Sequence, residues 1–497
     1  MTDAARTTDL EGALRVVVPA LDIHLRSAAT GTQFGPDAPW RALLDTPVPE
    51  QGAGDAETLR VLAETVVPDA LRMTGPGFLG WITTGATVVP AVARLVATLA
   101  GTQRYLGHST GLLESVGLRW LAEVCGLEGM EGVFSSSGSV ANLLAMGAAR
   151  QQAYERLGHD PARDGLRDLP SGRIYASTEV HHCILKAAGV LGMGRDAVTL
   201  LPVDSAQRVD VAAAGAAVAA DLLAGVVPVA IIGIAGTTNT GAIDDLTALA
   251  DLAEEVGAWF HVDGAYGMFG RLDPRGADRY VAVDRADSVV VDAHKWLCVP
   301  TGIGATFVRD RDILARAFTG EPSDYIEGAF AAEAQTSPWD TMGPPFHDWS
   351  LDLSAPSRGL VVWSALHEIG VDGLRARIVR DNGYARALAD LVRAEASLEL
   401  LGEPELSICC FRYHAPGLDD KQLDDLNHQL VRRLHASSPY VPSATWVNGR
   451  FAIRPCFINP RTEESDVSDL VRWVCAIGDD LVAGRADEPS APSTPAS

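Results

Sequence analysis

The sequence predicts an α/β protein whose large domain is built on a mostly parallel sheet and is followed by a small C-terminal α+β domain. Three observations predict it. Between Gly75 and about Ile313, β-branched runs such as GRIYAS, VAIIGIAGTT, AWFHVDGAY and DSVVVDAHK alternate with amphipathic stretches such as DDLTALADLAEEVG. Those runs are continuously apolar, the pattern of strands covered on both faces. The 497 residues also exceed what one hydrophobic core normally accommodates.

Taken in order, residues 1–74 are expected to form an N-terminal helical segment. The helical patterns LEGALRVVVPALDIHL and ETLRVLAETVVPDALRM flank the loop GTQFGPDAPW, and the segment should lean on something larger. Residues 75–357 are assigned to the large domain. Its end, 314–357, is rich in Pro, Gly, Asp and aromatic residues and predicts a long functional loop. Residues 358–484 form the small domain, with a helix from about Gly359 and the strand-like SICCFRYH and GRFAIRPCFIN around the helix DDKQLDDLNHQLVRRLHA. The remainder, 485–497, is a polar Pro/Ser tail expected to be disordered.

Composition narrows the functions. With 47% apolar and 21% charged residues the chain has the balance of a soluble globular protein. A formal charge of -24 disfavours nucleic acid and anionic membrane surfaces as partners and favours small molecules. The N-terminus shows neither a signal nor a transit pattern, and no stretch resembles a membrane-spanning helix. Seven scattered cysteines lack zinc-ligand spacing, so no metal is expected, and a reducing cytoplasm is the expected compartment.

Three constellations carry chemistry. The run GVFSSSGSVANLLAM, from Gly132 to Met146, reads as a strand, a small-residue turn and a helix. Hydroxyls and a glycine at a helix N-terminus suit an anion, although such residues also cap ordinary helices. Asp263 ends the apolar strand WFHVD, and ligands of open α/β sheets bind beyond the carboxyl ends of strands. It either satisfies a structural partner or faces a ligand cation. In SVVVDAHKW an apolar strand runs directly into Asp292, His294 and Lys295. A lysine withdrawn from water gives up its proton and attacks carbonyls more readily. Together the three fit one cofactor, with a seat for a phosphate, an acid for a pyridinium nitrogen and an amine for an aldehyde.

From about residue 60 to 480 the chain resembles the group II pyridoxal-5′-phosphate (PLP)-dependent decarboxylases, the family of aromatic-L-amino-acid, glutamate and histidine decarboxylases. HVDGAYG looks like the family's HVDAAY segment and DAHKW like its (N/D)PHKW motif, with Asp263 and Lys295 32 positions apart. The resemblance implies PLP-dependent transferase fold type I, the aspartate-aminotransferase-like fold, with a seven-stranded sheet. It also implies a homodimer with active sites at the interface, the N-terminal segment packing on the partner subunit. The implied reaction converts an L-amino acid to its amine and carbon dioxide. Aldehyde synthesis, transamination and a non-catalytic PLP-binding role stay open as alternatives.

The resemblance also implies residue roles. Lys295 forms a Schiff base with PLP, Asp263 keeps the pyridine nitrogen protonated, and His181 stacks on the ring. Ser137, Gly138 and Ser139 form the phosphate turn with His294 beside it, while Thr238 and Ala265 contact the cofactor. Arg454 sits near the substrate carboxylate, and Tyr325, in the long loop, is the acid that protonates Cα. Trp81, Ile82 and His108 are candidate substrate-pocket residues. The chain departs from the family at Gly75, at Gly107 and His108, and at Ala355, Pro356 and Ser357, while it keeps Arg358 and Trp363. The first two departures bear on specificity, and the third on loop closure or the dimer contact.

Overall fold

The computed structural model describes residues 9–27, 39–104, 108–320 and 346–484. In these, twelve strands make two sheets: β1 (Phe78–Leu79), β2 (Glu131–Ser135), β3 (Gly172–Ser177), β4 (Val198–Leu201), β5 (Val227–Ile234), β6 (Trp259–Asp263), β7 (Ser288–Asp292), β8 (Gly304–Val308), β9 (Leu398–Leu400), β10 (Phe411–Tyr413), β11 (Val441–Val447) and β12 (Arg450–Arg454). The seven-stranded sheet runs β2-β8-β7-β6-β5-β3-β4 and is mostly parallel, as expected. Every residue of β6 and β7 is buried, which is why both read as unbroken apolar runs. The helix Leu246–Val256 shows the local logic. Asp245 caps its start by accepting the Ala248 N–H, and Gly257 ends it at a positive φ of 67°.

Strand β8 is the exception to parallel pairing and runs antiparallel to both β2 and β7. Residues 293–303 connect β7 to β8 and are too few for a crossover helix, so the chain must turn back. That return loop carries His294 and Lys295.

The second sheet runs β1-β11-β12-β10-β9, antiparallel except where β1 lies parallel to β11. Phe78 and Leu79, assigned by the sequence to the large domain, thus belong to the small sheet. Leu79 is fully buried in the second of two hydrophobic clusters. Glycine makes this approach feasible, since a Cβ at Gly77 would collide with the Pro439 carbonyl. The chain segment leading to Trp81 is thereby pinned against the small sheet.

The helix from Gly359 reaches Ala394 and breaks at Gly370, with φ 65°. Its first half lies so close to the helix His108–Cys125 that a Cβ on Gly117 would approach Gly359 Cα to 2.9 Å. The predicted loop 314–357 starts later than expected, because Asp312–Phe318 is a helix that buries Ile313, Leu314 and Ala317. Past residue 345, Phe346 and Trp349 are buried edge to face with ring centroids 5.4 Å apart. The Arg311 guanidinium lies over the Trp349 ring. The intervening 321–345 and the tail 485–497 lie outside the described residues. The N-terminal segment is helical over Leu10–Arg26, and no residue of that helix is buried.

Candidate active site

Strands β6 and β7 lie parallel, with Asp263 paired to Val290, and both end in a carboxylate. Asp263 is buried, and its two oxygens each accept one hydrogen bond: Oδ1 from the Ala265 N–H at 3.2 Å and Oδ2 from Asn142 Nδ2 at 3.2 Å. Asn142 comes from the helix Gly138–Glu155, one turn after its start. His261 shares a strand face with Asp263, two residues away. Its Nε2 is 2.8 Å from Asn142 Oδ1 and its Nδ1 is 2.8 Å from Ser288 Oγ, which in turn accepts the Trp259 indole N–H at 2.7 Å.

Burial pushes the His261 pKa from its ordinary 6.5 down to about 4, with Asp263 opposing the shift. A group depressed in the folded state contributes stability that is complete above pH 6.5 and is lost as the pH falls from 6.5 through 4. The whole loss is about 3 kcal/mol. His261→Gln is expected to flatten this part of the stability profile, as measured by chemical unfolding at a series of pH values.

Lys295 lies three residues beyond the end of β7, and its Nζ is 3.2 Å from Asp292 Oδ2. The other oxygen of Asp292 is buried without a hydrogen-bond partner among the described residues. The first turn of the helix Gly138–Glu155 packs directly on this carboxylate. A Cβ at Gly138 would approach Asp292 Oδ2 to 2.5 Å, and one at Gly304 would approach Oδ1 to 2.7 Å. Ser137 caps the helix by accepting the Val140 N–H at 3.3 Å. The first-turn N–H groups of Gly138 and Ser139 have no intrahelical acceptor and form a ready anion seat. His294 Nδ1 donates to the Ile303 carbonyl at 2.9 Å.

His181 Nδ1 accepts the Cys183 N–H at 3.3 Å. Burial lowers the His181 pKa below its ordinary value while Asp263 raises it, which favours a neutral ring.

The structure brings Ser137, Gly138, Ser139, His181, Thr238, Asp263, Ala265, His294 and Lys295 onto one cavity of about 190 Å³. A second cavity, of about 720 Å³, shares His181, Thr238 and Lys295 with the first and is walled by Phe78, Trp81, Ile82 and Arg454. Arg454 is buried, and its guanidinium donates to the carbonyls of Thr238, Asn239 and Trp81 and to Ser443 Oγ. Four acceptors leave one of its five N–H groups free, and it forms no salt bridge among the described residues. Trp81 adopts a positive φ of 52°, which is costly for a bulky residue. The bend is held from both sides, by Ser443 Oγ accepting its N–H and by Arg454 donating to its carbonyl. Tyr325 and the side chain of His108 lie outside the described residues.

Asn142 and Glu179 also line the first cavity and were not found from sequence. Glu179 accepts from Asn239 Nδ2 at 2.9 Å, and burial raises its pKa. For Asn142 one signal existed, a single amide inside the otherwise apolar VANLLAM.

The cavity fits PLP on three structural counts. A glycine cradle and a helix N-terminus suit the phosphate, Asp263 suits the ring nitrogen, and Lys295 suits the aldehyde.

Residues 64–414 match the pyridoxal-dependent decarboxylase conserved domain. The chain is 27% identical over 463 residues to aromatic-L-amino-acid decarboxylase of Bacillus atrophaeus, covering 92% of both. To L-2,4-diaminobutyrate decarboxylase of Rhizobium meliloti it is 30% identical over 431 residues, covering 85% of this chain and 82% of that protein. The crystal structure of Oryza sativa TDC with PLP and tryptamine superposes with a TM-score of 0.86, over 97% of this chain and 100% of that one. Its 24% sequence identity makes this a likeness of fold.

Proposed function

The chain belongs to the pyridoxal-dependent decarboxylase family, and from that premise we propose how its own residues carry out the decarboxylation of an amino acid. It is a PLP-dependent carboxy-lyase of fold type I. The observation that carries the residue-level account is the convergence of Lys295, Asp263 and the Ser137 turn on one cavity.

Bound PLP supplies the electron sink that takes up the bonding pair left by departing carbon dioxide. Lys295 would hold the cofactor at its aldehyde carbon through Nζ. Asp263 holds a proton at the ring nitrogen. The Ser137, Gly138 and Ser139 turn grips the phosphate with its first-turn N–H groups, and His294 lies alongside. His181, Thr238 and Ala265 would line the space around the ring. Arg454 meets the substrate carboxylate with its free N–H and its charge. Trp81, Ile82 and His108 receive the side chain. Tyr325 donates the proton to Cα, and its support is its place in the long segment that follows the helix Asp312–Phe318.

The second cavity's wall of Phe78, Trp81 and Ile82 supports a substrate with an aromatic or aliphatic side chain. The decisive experiment incubates the purified, PLP-loaded enzyme with the standard amino acids and quantifies carbon dioxide and amine. Equimolar carbon dioxide and amine from aromatic or aliphatic substrates is expected. Aldehyde or keto acid without amine would overturn simple decarboxylation, and turnover confined to charged amino acids would overturn the substrate class.

The enzyme acts as a homodimer in this account. Support comes from the helix Val88–Leu99, where Val88, Val89, Val92, Leu95, Val96 and Leu99 are all exposed, and from the uncovered helix Leu10–Arg26. Apolar faces of this kind mark interfaces. Val92→Glu is expected to shift the protein toward monomer in analytical ultracentrifugation and to lower its activity in parallel. We assign the enzyme to the cytoplasm. All seven cysteines are free, and no described helix is long and apolar enough to cross a membrane.

A further inference from the structure

A chain of hydrogen bonds runs from Asp263 back into the sheet, through Asn142, His261 and Ser288 to Trp259. Its two ends dictate its direction. An ionised carboxylate only accepts, so Asn142 must present its amide N–H to Asp263. The amide oxygen then needs a donor, which fixes the proton of His261 on Nε2. His261 Nδ1 is left to accept the Ser288 hydroxyl proton, and the Ser288 oxygen accepts from the Trp259 indole, which can only donate. Every donor therefore points toward Asp263.

The inner groups are sealed from water: Trp259 is 2% exposed, Asn142 1%, and His261 and Ser288 0%. Aligned bonds in such surroundings polarise one another in the same sense. The mechanism above uses none of these four residues.

We propose that Trp259, Ser288, His261 and Asn142 form a positioning chain that acts through Asp263 to keep the pyridine nitrogen of PLP protonated. The inference rests on the reading that Asp263 faces that nitrogen. His261 sets the orientation of the Asn142 amide, and the amide aims one oxygen of the carboxylate while the Ala265 N–H holds the other. None of the four touches the reacting atoms, so each is a positioning residue.

The test loads wild type and variants with PLP carrying a nitrogen-15 label in the ring and reads the ring-nitrogen resonance at neutral pH, together with the dissociation constant of PLP. His261→Phe, which fills the space without either polar atom, is expected to move the resonance toward the unprotonated position and to weaken PLP about tenfold, the scale of one charge-assisted hydrogen bond. His261→Gln supplies both an N–H and an oxygen, and is expected to restore the wild-type resonance. Asn142→Leu should shift it further than His261→Phe. Ser288→Ala, which leaves the Asn142–Asp263 bond in place, should shift it less, and it carries the test if the bulkier variants do not fold.

Wild-type resonances in His261→Phe, Asn142→Leu and Ser288→Ala, alongside a shifted one in Asp263→Ala, would overturn the chain alone. An unshifted resonance in Asp263→Ala overturns the reading of Asp263 and the proposal with it.

Discussion

Lys295→Ala is expected to lower kcat by at least about a thousandfold, because the amine that anchors and exchanges the cofactor aldehyde is gone. The fold should survive the change. Lys295 is partly exposed, and its side chain is ion-paired to Asp292. That variant leaves a buried carboxylate without its cation, so a modest drop in unfolding temperature is expected beside an intact circular dichroism spectrum. The visible absorbance of lysine-bound cofactor should vanish in the variant. Wild-type turnover in Lys295→Ala would remove Lys295 from the chemistry altogether.

Asp263→Asn is expected to cost about a thousandfold in kcat with a far smaller change in KM. Removing one preorganised electrostatic group costs roughly 10²–10³ on its own, and here the loss also deprives the ring nitrogen of its proton. The substitution is nearly isosteric, but its amide N–H₂ must compete with the Asn142 amide that now donates to Asp263 Oδ2. PLP affinity should fall at least as far as in His261→Phe, while the untouched Ser137 turn and Lys295 keep the cofactor bound at saturating PLP. Steady-state kinetics with equilibrium dialysis of PLP separates the two effects. A rise confined to KM would mean that Asp263 binds substrate and does not serve the cofactor ring.

Much of the large domain was legible because its central strands are buried on both faces, so VAIIGI, WFHV and SVVV stand out as mostly apolar blocks. Strands of the small sheet were harder to see. The strand β11 buries only Pro442 and Val447 of its seven residues, so it shows no apolar block, while β1 has two residues, too few for any period to register. Its partner β11 lies more than 350 residues away in sequence.

The site divides in the same way. Lys295 and Asp263 betray themselves locally, as charged residues at the ends of apolar strands. Asn142 does not, because its meaning lies in contacts with His261 and Asp263, 119 and 121 residues distant. Arg454 was legible by family likeness, but its four oxygen acceptors and its hold on the strained Trp81 depend on the junction of the two sheets.

Lys295 permits an unusually clean test, because the chain has three lysines, Lys186, Lys295 and Lys421, and the other two are exposed. Borohydride reduction of the PLP-loaded enzyme, followed by digestion and peptide mass spectrometry, locates the covalent attachment directly. The reduced phosphopyridoxyl group is expected on the peptide containing Lys295, and it is expected to be lost from that peptide when an amino-acid substrate is added before the reductant. Attachment at Lys186 or Lys421, or none at any lysine, would contradict the role of Lys295.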